Sequence, residues 1–248
     1  MKGTFFNKPL EWNIETLGET WRQGDELKGS LRVKNHGTDA VELDEAGVSL
    51  ILAEIRKVQS RAEGALKPTN KVSFTEKILF PGKEKELPFT FPIDANAAIT
   101  DKKASFYLCY GTHFVEAQLQ VKVEPKELFQ KVSGLLDTFH RFKLKECKAN
   151  KKGVEFKFQP PTSREMANIE SLFVTYFMDK DNLGMRFEFH VKKLDTSSAT
   201  TKLNKETVSV ERLLPSKDYS LGKGMINQDK LLKTLEEVLS EVKMKAVF

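Results

Sequence analysis

Residues 114–123 read Phe-Val-Glu-Ala-Gln-Leu-Gln-Val-Lys-Val, with Val115, Ala117, Leu119, Val121 and Val123 on one parity and Glu116, Gln118, Gln120 and Lys122 on the other. A period of two puts apolar side chains on one face of an extended chain and polar ones on the other. Only a sheet with one wet face needs that arrangement. The pattern recurs upstream. Leu10, Trp12 and Ile14 alternate with polar residues, and so do Leu27, Leu31 and Val33 across Gly29. The apolar start of residues 48–58 suits a strand buried on both faces. Leu87, Phe89, Phe91 and Ile93 step by two past Pro88 and Pro92, which lack the amide a ladder needs, so this segment belongs at an edge or in an irregular strand.

Glycine-containing reversals separate these runs at Gln23-Gly24-Asp25, Asn35-His36-Gly37 and Pro81-Gly82-Lys83, and residues 59–71, with Gly64 and Pro68, read as a longer loop. Short alternating strands with no helical segment between them predict an antiparallel β-sandwich over residues 1–124.

Pro125 begins a different pattern. Leu128, Phe129, Val132, Leu135, Leu136 and Phe139 form a helical stripe over 126–140, weakened by about 1 kcal/mol at Gly134 relative to Ala. Strands then resume: Phe142 and Leu144; Val154, Phe156 and Phe158 up to Pro160-Pro161; an interior strand over 172–178; and Met185, Phe187, Phe189 and Val191. Residues 195–206 are polar and read as a mobile loop. Leu231, Leu232, Leu235, Val238, Leu239 and Val242 give a second amphipathic helix over 227–242. The fold class expected is mainly β: two tandem antiparallel β-sandwich domains, 1–124 and 125–248, the second with added helices that cover its core. The same two helical faces are also candidates for contacts in a homo-oligomer.

Composition restricts function. The 248 residues have 40% hydrophobic and 30% charged content, and 18 Phe against two Trp and four Tyr supply core bulk. No apolar run approaches the roughly 18 residues a spanning helix needs, and residues 1–10 lack the apolar region of a secretory signal. Cys109 and Cys147 are too few for a disulfide framework, which points to the cytoplasm. Net charge is +5; residues 1–124 carry 17 basic against 18 acidic groups, −1, and residues 125–248 carry 23 against 17, +6. Both signs are interspersed, as on a solubilising surface rather than a nucleic-acid footprint.

No catalytic, metal or cofactor constellation emerges. His36, His113, His140 and His190 fall in a turn, beside a strand start, at a helix end and on the polar face of a strand, without paired spacing. His140 is placed to interact with the last helix carbonyls. Cys109 is expected on the face opposite Phe106, Leu108 and Tyr110, and Cys147 in a more exposed place. Gly222-Lys223-Gly224 lacks the remainder of a phosphate loop. Asp179-Lys180-Asp181-Asn182 has the wrong continuation for a calcium loop and reads as a hairpin turn. The densest basic stretch is Lys143, Lys145, Lys148, Lys151 and Lys152, a candidate patch for an acidic partner or acidic lipid headgroups, or else a solvated loop whose lysines discourage aggregation. Aromatic residues do not interleave it, which argues against nucleic acid.

Gly24-Asp25-Glu26-Leu27-Lys28-Gly29-Ser30-Leu31 resembles the opening of arrestin-like amino-terminal sandwiches, and Leu87-Pro88-Phe89-Thr90-Phe91-Pro92 resembles one of their later strands. Residues 105–123 fit the paired strands that close such a domain. Phe142-Lys143-Leu144-Lys145-Glu146-Cys147, then Val154-Glu155-Phe156-Lys157-Phe158-Gln159-Pro160 and residues 169–174, are similar to the bacterial sporulation-control arrestin-like family. The chain departs from that pattern at Gln23-Gly24, where Pro-Gly is usual, and at Asn35-His36-Gly37, where a Gly-Gly hairpin often stands. The resemblance covers roughly residues 10–215. It implies tandem β-sandwiches and a cytoplasmic regulatory or scaffolding role through protein partners, without catalysis or a cofactor. A peripheral binder of anionic membrane, through the basic second half, is the alternative.

Overall fold

A computed structural model describes residues 1–195 and 202–247, and the chain divides into two compact units, Met1–Glu124 and Pro125–Phe248. In chain order the first unit carries β1 (Lys2–Asn7), β2 (Leu10–Thr16), β3 (Thr20–Arg22), β4 (Glu26–Asn35), β5 (Val41–Glu42), β6 (Gly47–Glu54), helix α1 (Ile55–Gln59), β7 (Asn70–Ser73), β8 (Ile78–Leu79), β9 (Glu84–Pro92), β10 (Ala104–Gly111) and β11 (Ala117–Glu124). One sheet runs β1-β2-β4-β9 and another β3-β11-β10-β6-β7. All pairings are antiparallel except β11 with β3, and the small β5-β8 pair stands apart.

The core of this unit gathers Trp12, Ile14, Leu27, Leu31 and Val33 from the first sheet with Val48, Leu108, Val121 and Val123 from the second. These are the alternating positions of the sequence, and β9, with its two prolines, lies at a sheet edge. The extended run expected over 48–58 stops at Glu54, because the chain turns into α1 there. The helix places Val58, with Ala65 and Leu66, over Ile51, Ala53, Tyr107 and Cys109. Thus one sheet is apolar on both sides. The run expected from 114 also starts later: His113 and Phe114 have φ of 67° and 63°, so β11 begins at Ala117 and Val115 is left 38% exposed. Phe114 itself is buried.

The second unit carries α2 (Glu127–His140), β12 (Lys143–Asn150), β13 (Gly153–Gln159), a 3-10 turn at Arg164–Met166, β14 (Ile169–Asp179), β15 (Asn182–Asp195), β16 (Lys202–Leu214), α3 (Ser216–Tyr219), β17 (Ser220–Gly222), β18 (Met225–Ile226) and α4 (Gln228–Val247). Its main sheet is an antiparallel meander, β12-β13-β14-β15-β16, each strand beside its sequence neighbour. Phe156, Val174, Phe187 and Val210 lie side by side across it on one buried face. The helices expected as additions supply the layer on that face. Phe129 of α2 stacks on Tyr176 at 5.6 Å, and Leu231, Leu235, Val238 and Val242 of α4 are buried. The two stripes offered as oligomer contacts are therefore spent on this unit's own core. Phe139 is the exception: it falls off the stripe and is 51% exposed.

Helix α2 ends where Arg141 enters the left-handed region, φ 58°, and the amides of Arg141 and Phe142 donate to the carbonyls of Asp137 and Leu136. Those backbone bonds take the role expected of His140, whose buried Nε2 has no hydrogen-bond partner. The polar loop expected over 195–206 is largely strand. β15 and β16 pair as far as Asp195 with Lys202, and residues 196–201 lie outside the described residues. Alternation there was masked because both faces carry polar side chains. Lys180 and Asp181 form the two-residue turn between β14 and β15, and Gly222-Lys223-Gly224 turns β17 into β18.

Candidate interaction surface

The face of the second sheet away from the helices is wet, and strand pairing sets its side chains in rows. Lys148, Glu155, Thr175, Arg186 and Glu211 make one row. Its charges are matched: Lys148 Nζ sits 2.7 Å from Glu155 and Arg186 Nη2 2.6 Å from Glu211. The next row holds Glu146, Lys157, Phe173, Glu188 and Ser209. Beyond it, Lys143 faces Gln159 while Ser171, His190 and Thr207 pair across the other strands.

Two of these rows border a groove of about 650 Å³ lined by Lys145, Lys157, Phe173, His190, Lys205 and Thr207 among others. Phe173 lies at the centre. Its ring is 4.9 Å from that of His190, and Lys157 Nζ stands 5.4 Å from its centroid, within cation–π range. At the rim Lys205 pairs with Glu170 at 2.9 Å, and its hydrogen bond holds the Glu170 carboxyl below the ordinary range. A sheet face bearing amines, hydroxyls, the Glu170 and Glu206 carboxylates and one aromatic floor can grip a polar, extended ligand.

The five lysines singled out in the sequence do not form one point of charge. Lys143, Lys145 and Lys148 ride on β12, an edge strand, rather than on a loop, and Lys151 and Lys152 sit in the turn that follows. At about 3.3 Å per residue the stripe is roughly 25 Å long, too extended for a single small anion. The pairing register shifts between Leu144 and Glu146, which lets Lys145 reach the groove. Lys148 is neutralised by Glu155, whereas Lys143, Lys145, Lys151 and Lys152 meet no acid among the described residues. Lys157, Phe173 and Lys205 were not singled out in the sequence, and His190, read there as lying on the polar face of a strand, was not joined to them. The signal was there in Phe173, whose parity in an interior strand puts it opposite Leu172 and Val174.

Histidines elsewhere are separate: His36 Nε2 is 2.6 Å from Glu11 and His113 Nδ1 2.7 Å from Glu45. Cys109 is fully buried, and burial pushes its thiol up to about 12, the opposite of a reactive cysteine. Cys147 is half-buried, on the face shared with Phe156. Among the described residues no group of three or more His, Cys, Asp or Glu could hold a metal ion, and no helix is long and apolar enough to cross a membrane.

No family model and no curated protein matches the sequence. Among solved structures, a β-glucosidase from Listeria innocua matches at 17% identity over 46% of this chain and 16% of its own, with a TM-score of 0.28. The secreted serine protease VesC from Vibrio cholerae matches at 13% identity over 78% of this chain and 40% of its own, with a TM-score of 0.23. Overlap at those scores says nothing of fold or activity. The crystal structure of Spo0M, the sporulation control protein from Bacillus subtilis, is different: it covers 95% of this chain and 99% of its own with a TM-score of 0.61, at 16% identity. Along nearly its whole length, this chain has the arrestin-like fold of the Spo0M structure.

Proposed function

We propose that the chain is a cytoplasmic regulatory or scaffolding protein, in sporulation- or stress-type control, that binds other proteins and performs no chemistry itself. The observation that carries this reading is the wet face of the second sheet. There, Lys143 and Lys145 stand without acidic partners beside a groove floored by Phe173. Such a surface suits an extended acidic segment of a partner, held by amines at its edge and by an aromatic at its centre. Likeness of fold to a sporulation control protein agrees with a regulatory role.

The test is quantitative affinity purification of tagged protein at native level in its own host. Wild type is compared with a variant carrying Glu at positions 143, 145, 151 and 152. Lys148 is left in place because it holds Glu155. Discrete protein partners are expected with wild type and should be depleted in the variant. Catalysis by the purified protein, abolished by one point substitution, would overturn the reading. The membrane alternative rests on the +6 charge of residues 125–248 and on the same lysine stripe. Binding to anionic vesicles at low salt, absent in the variant, with no enriched protein partner, would replace the first reading by the second.

A further inference from the structure

The antiparallel register of the second unit sorts its connections onto two ends. One end collects the start of β12, the finish of β13 and the start of β14, since Lys143 faces Gln159 and Phe158 faces Leu172. Helix α2 runs to the same end, because it stops at His140 just before β12 begins. The ion pair of Lys243 with Glu165, 2.7 Å long, brings the last turns of α4 there as well. The chain enters the unit at the opposite end, at Pro125, ahead of α2. Three large apolar side chains reach solvent at the gathered end. Phe139 of α2 is 51% exposed and Met244 of α4 63%. Leu144 faces Phe158 on the helix side of the sheet, yet its edge strand leaves it 48% exposed. With them, Arg141, Lys143, Lys145 and Arg164 are exposed and have no acidic partner among the described residues. The acids nearby are largely spent. Glu165 pairs with Lys243, Glu170 pairs with Lys205 at 2.9 Å and Glu206 is engaged, which leaves Asp137 and Glu146 against those cations among the described side chains.

We propose that this end of the second unit docks on an anionic lipid bilayer, with Phe139, Leu144 and Met244 entering the acyl boundary and the free cations meeting headgroup phosphates. The inference rests on the membrane alternative above and gives it a place in the fold. Charge complementarity calls for an anionic occupant, because cations are the groups left free while Glu165 and Glu170 are neutralised within the chain. The source of the apolar groups selects the bilayer. They come from three separate elements, whereas a protein hot spot gathers aromatic and Arg anchors into one desolvated pocket. A bilayer interface takes isolated apolar side chains one at a time, and long basic side chains reach up from among them to the phosphates. Neither helix has to leave the core for this contact, since Phe129, Leu136, Leu235 and Val242 stay buried beneath it.

The test is sedimentation of the full chain with vesicles of phosphatidylglycerol and phosphatidylcholine, against vesicles of phosphatidylcholine alone. Binding is expected to the anionic vesicles only, and should weaken as salt rises. Phe139→Ser with Met244→Ser should lower the partitioning about tenfold or more and leave circular dichroism unchanged, since both side chains stand largely in solvent. In a Cys147→Ser background, an environment-sensitive fluorophore on the Met244→Cys variant should shift to the blue on the vesicles. The same fluorophore on the Lys151→Cys variant, in the turn at the opposite end, should not. Cys109 is sealed in the first unit and stays unlabelled. No binding to anionic vesicles at low salt overturns the proposal, as does equal binding to both kinds of vesicle or an equal response of the two fluorophores. Binding that survives Phe139→Ser with Met244→Ser, but is lost with Glu at positions 143, 145, 151 and 152, keeps the membrane alternative and overturns this contact.

Discussion

The first unit covers its sheet with another sheet, and the second covers its sheet with helices. In the first, several strands that become neighbours are not consecutive in sequence: β2 pairs with β4, β4 with β9, β6 with β10, and β3 runs parallel to β11. In the second, each strand of the main sheet pairs with the next, and only α2 and α4 return from the ends of the unit to close it. The outer face of the β3-β11-β10-β6-β7 sheet is again partly sealed, around Cys109, by α1 and Leu66. The outer face of the second sheet is left wet, with its rows of charge and one half-buried aromatic floor. A sandwich spends its inner surfaces on packing, whereas a sheet with helices on one side keeps the other open to solvent.

Both tryptophans, Trp12 and Trp21, lie in the first unit, and the two long helices lie in the second, so fluorescence and far-ultraviolet circular dichroism report different units. The largest effect is expected from Phe129→Ala, which removes a fully buried ring stacked on Tyr176. It should lower the stability of the helix-reported denaturant transition by about 3–5 kcal/mol while the tryptophan transition stays in place. If both transitions shift together, the units unfold as one block and the comparison fails.

A pair of smaller changes probes close backbone approach in each unit. A Cβ at Gly47 would overlap the Val72 carbonyl and lie 2.7 Å from the Phe114 ring, and one at Gly153 would overlap the Tyr176 carbonyl. Gly47→Ala should cost about 1–3 kcal/mol in the tryptophan signal and Gly153→Ala a similar amount in the helical signal, as overpacking does elsewhere. A neutral result at either would mean that the neighbouring strand gives way there.

The smallest effect concerns pH. Burial holds the His140 imidazole below its ordinary value of 6.5, with Glu236 opposing the shift and Lys243 adding to it. Above 6.5 the ring is neutral in both states and contributes nothing to the pH dependence. As pH falls below that value the unfolded chain takes the proton first, so stability declines until the folded pKa is passed. The helix-reported stability of wild type should therefore fall more steeply below pH 6.5 than that of His140→Gln, while the tryptophan transitions of the two proteins run parallel. Equal slopes in the helical signal would assign the pH dependence to other groups.

Much of the fold was legible in the residues themselves. Period-two runs such as Leu10-Trp12-Ile14 and Met185-Phe187-Phe189 name their own buried face, because a strand has only two sides. The stripe of α4 did the same at helical period, and the helix simply ran five residues past Val242. What failed was local or cooperative. Glu54 gives no signal that a strand must yield to a helix, and nothing in residues 202–206 marks a polar segment as strand, since its order comes from β15 beside it. The groove on the wet face was hardest to see. Lys157, Phe173, His190 and Lys205 are scattered over 49 positions of sequence, and only the lateral register of four strands sets them around one groove.

Sequence alone determined which side chains turn inward and where many of the turns fall, because periodicity acts within one element. Tertiary structure decided what covers each sheet, which lysines stay unpaired and which side chains gather at one end of a unit. Those properties depend on distances between elements, and no single stretch of chain encodes them.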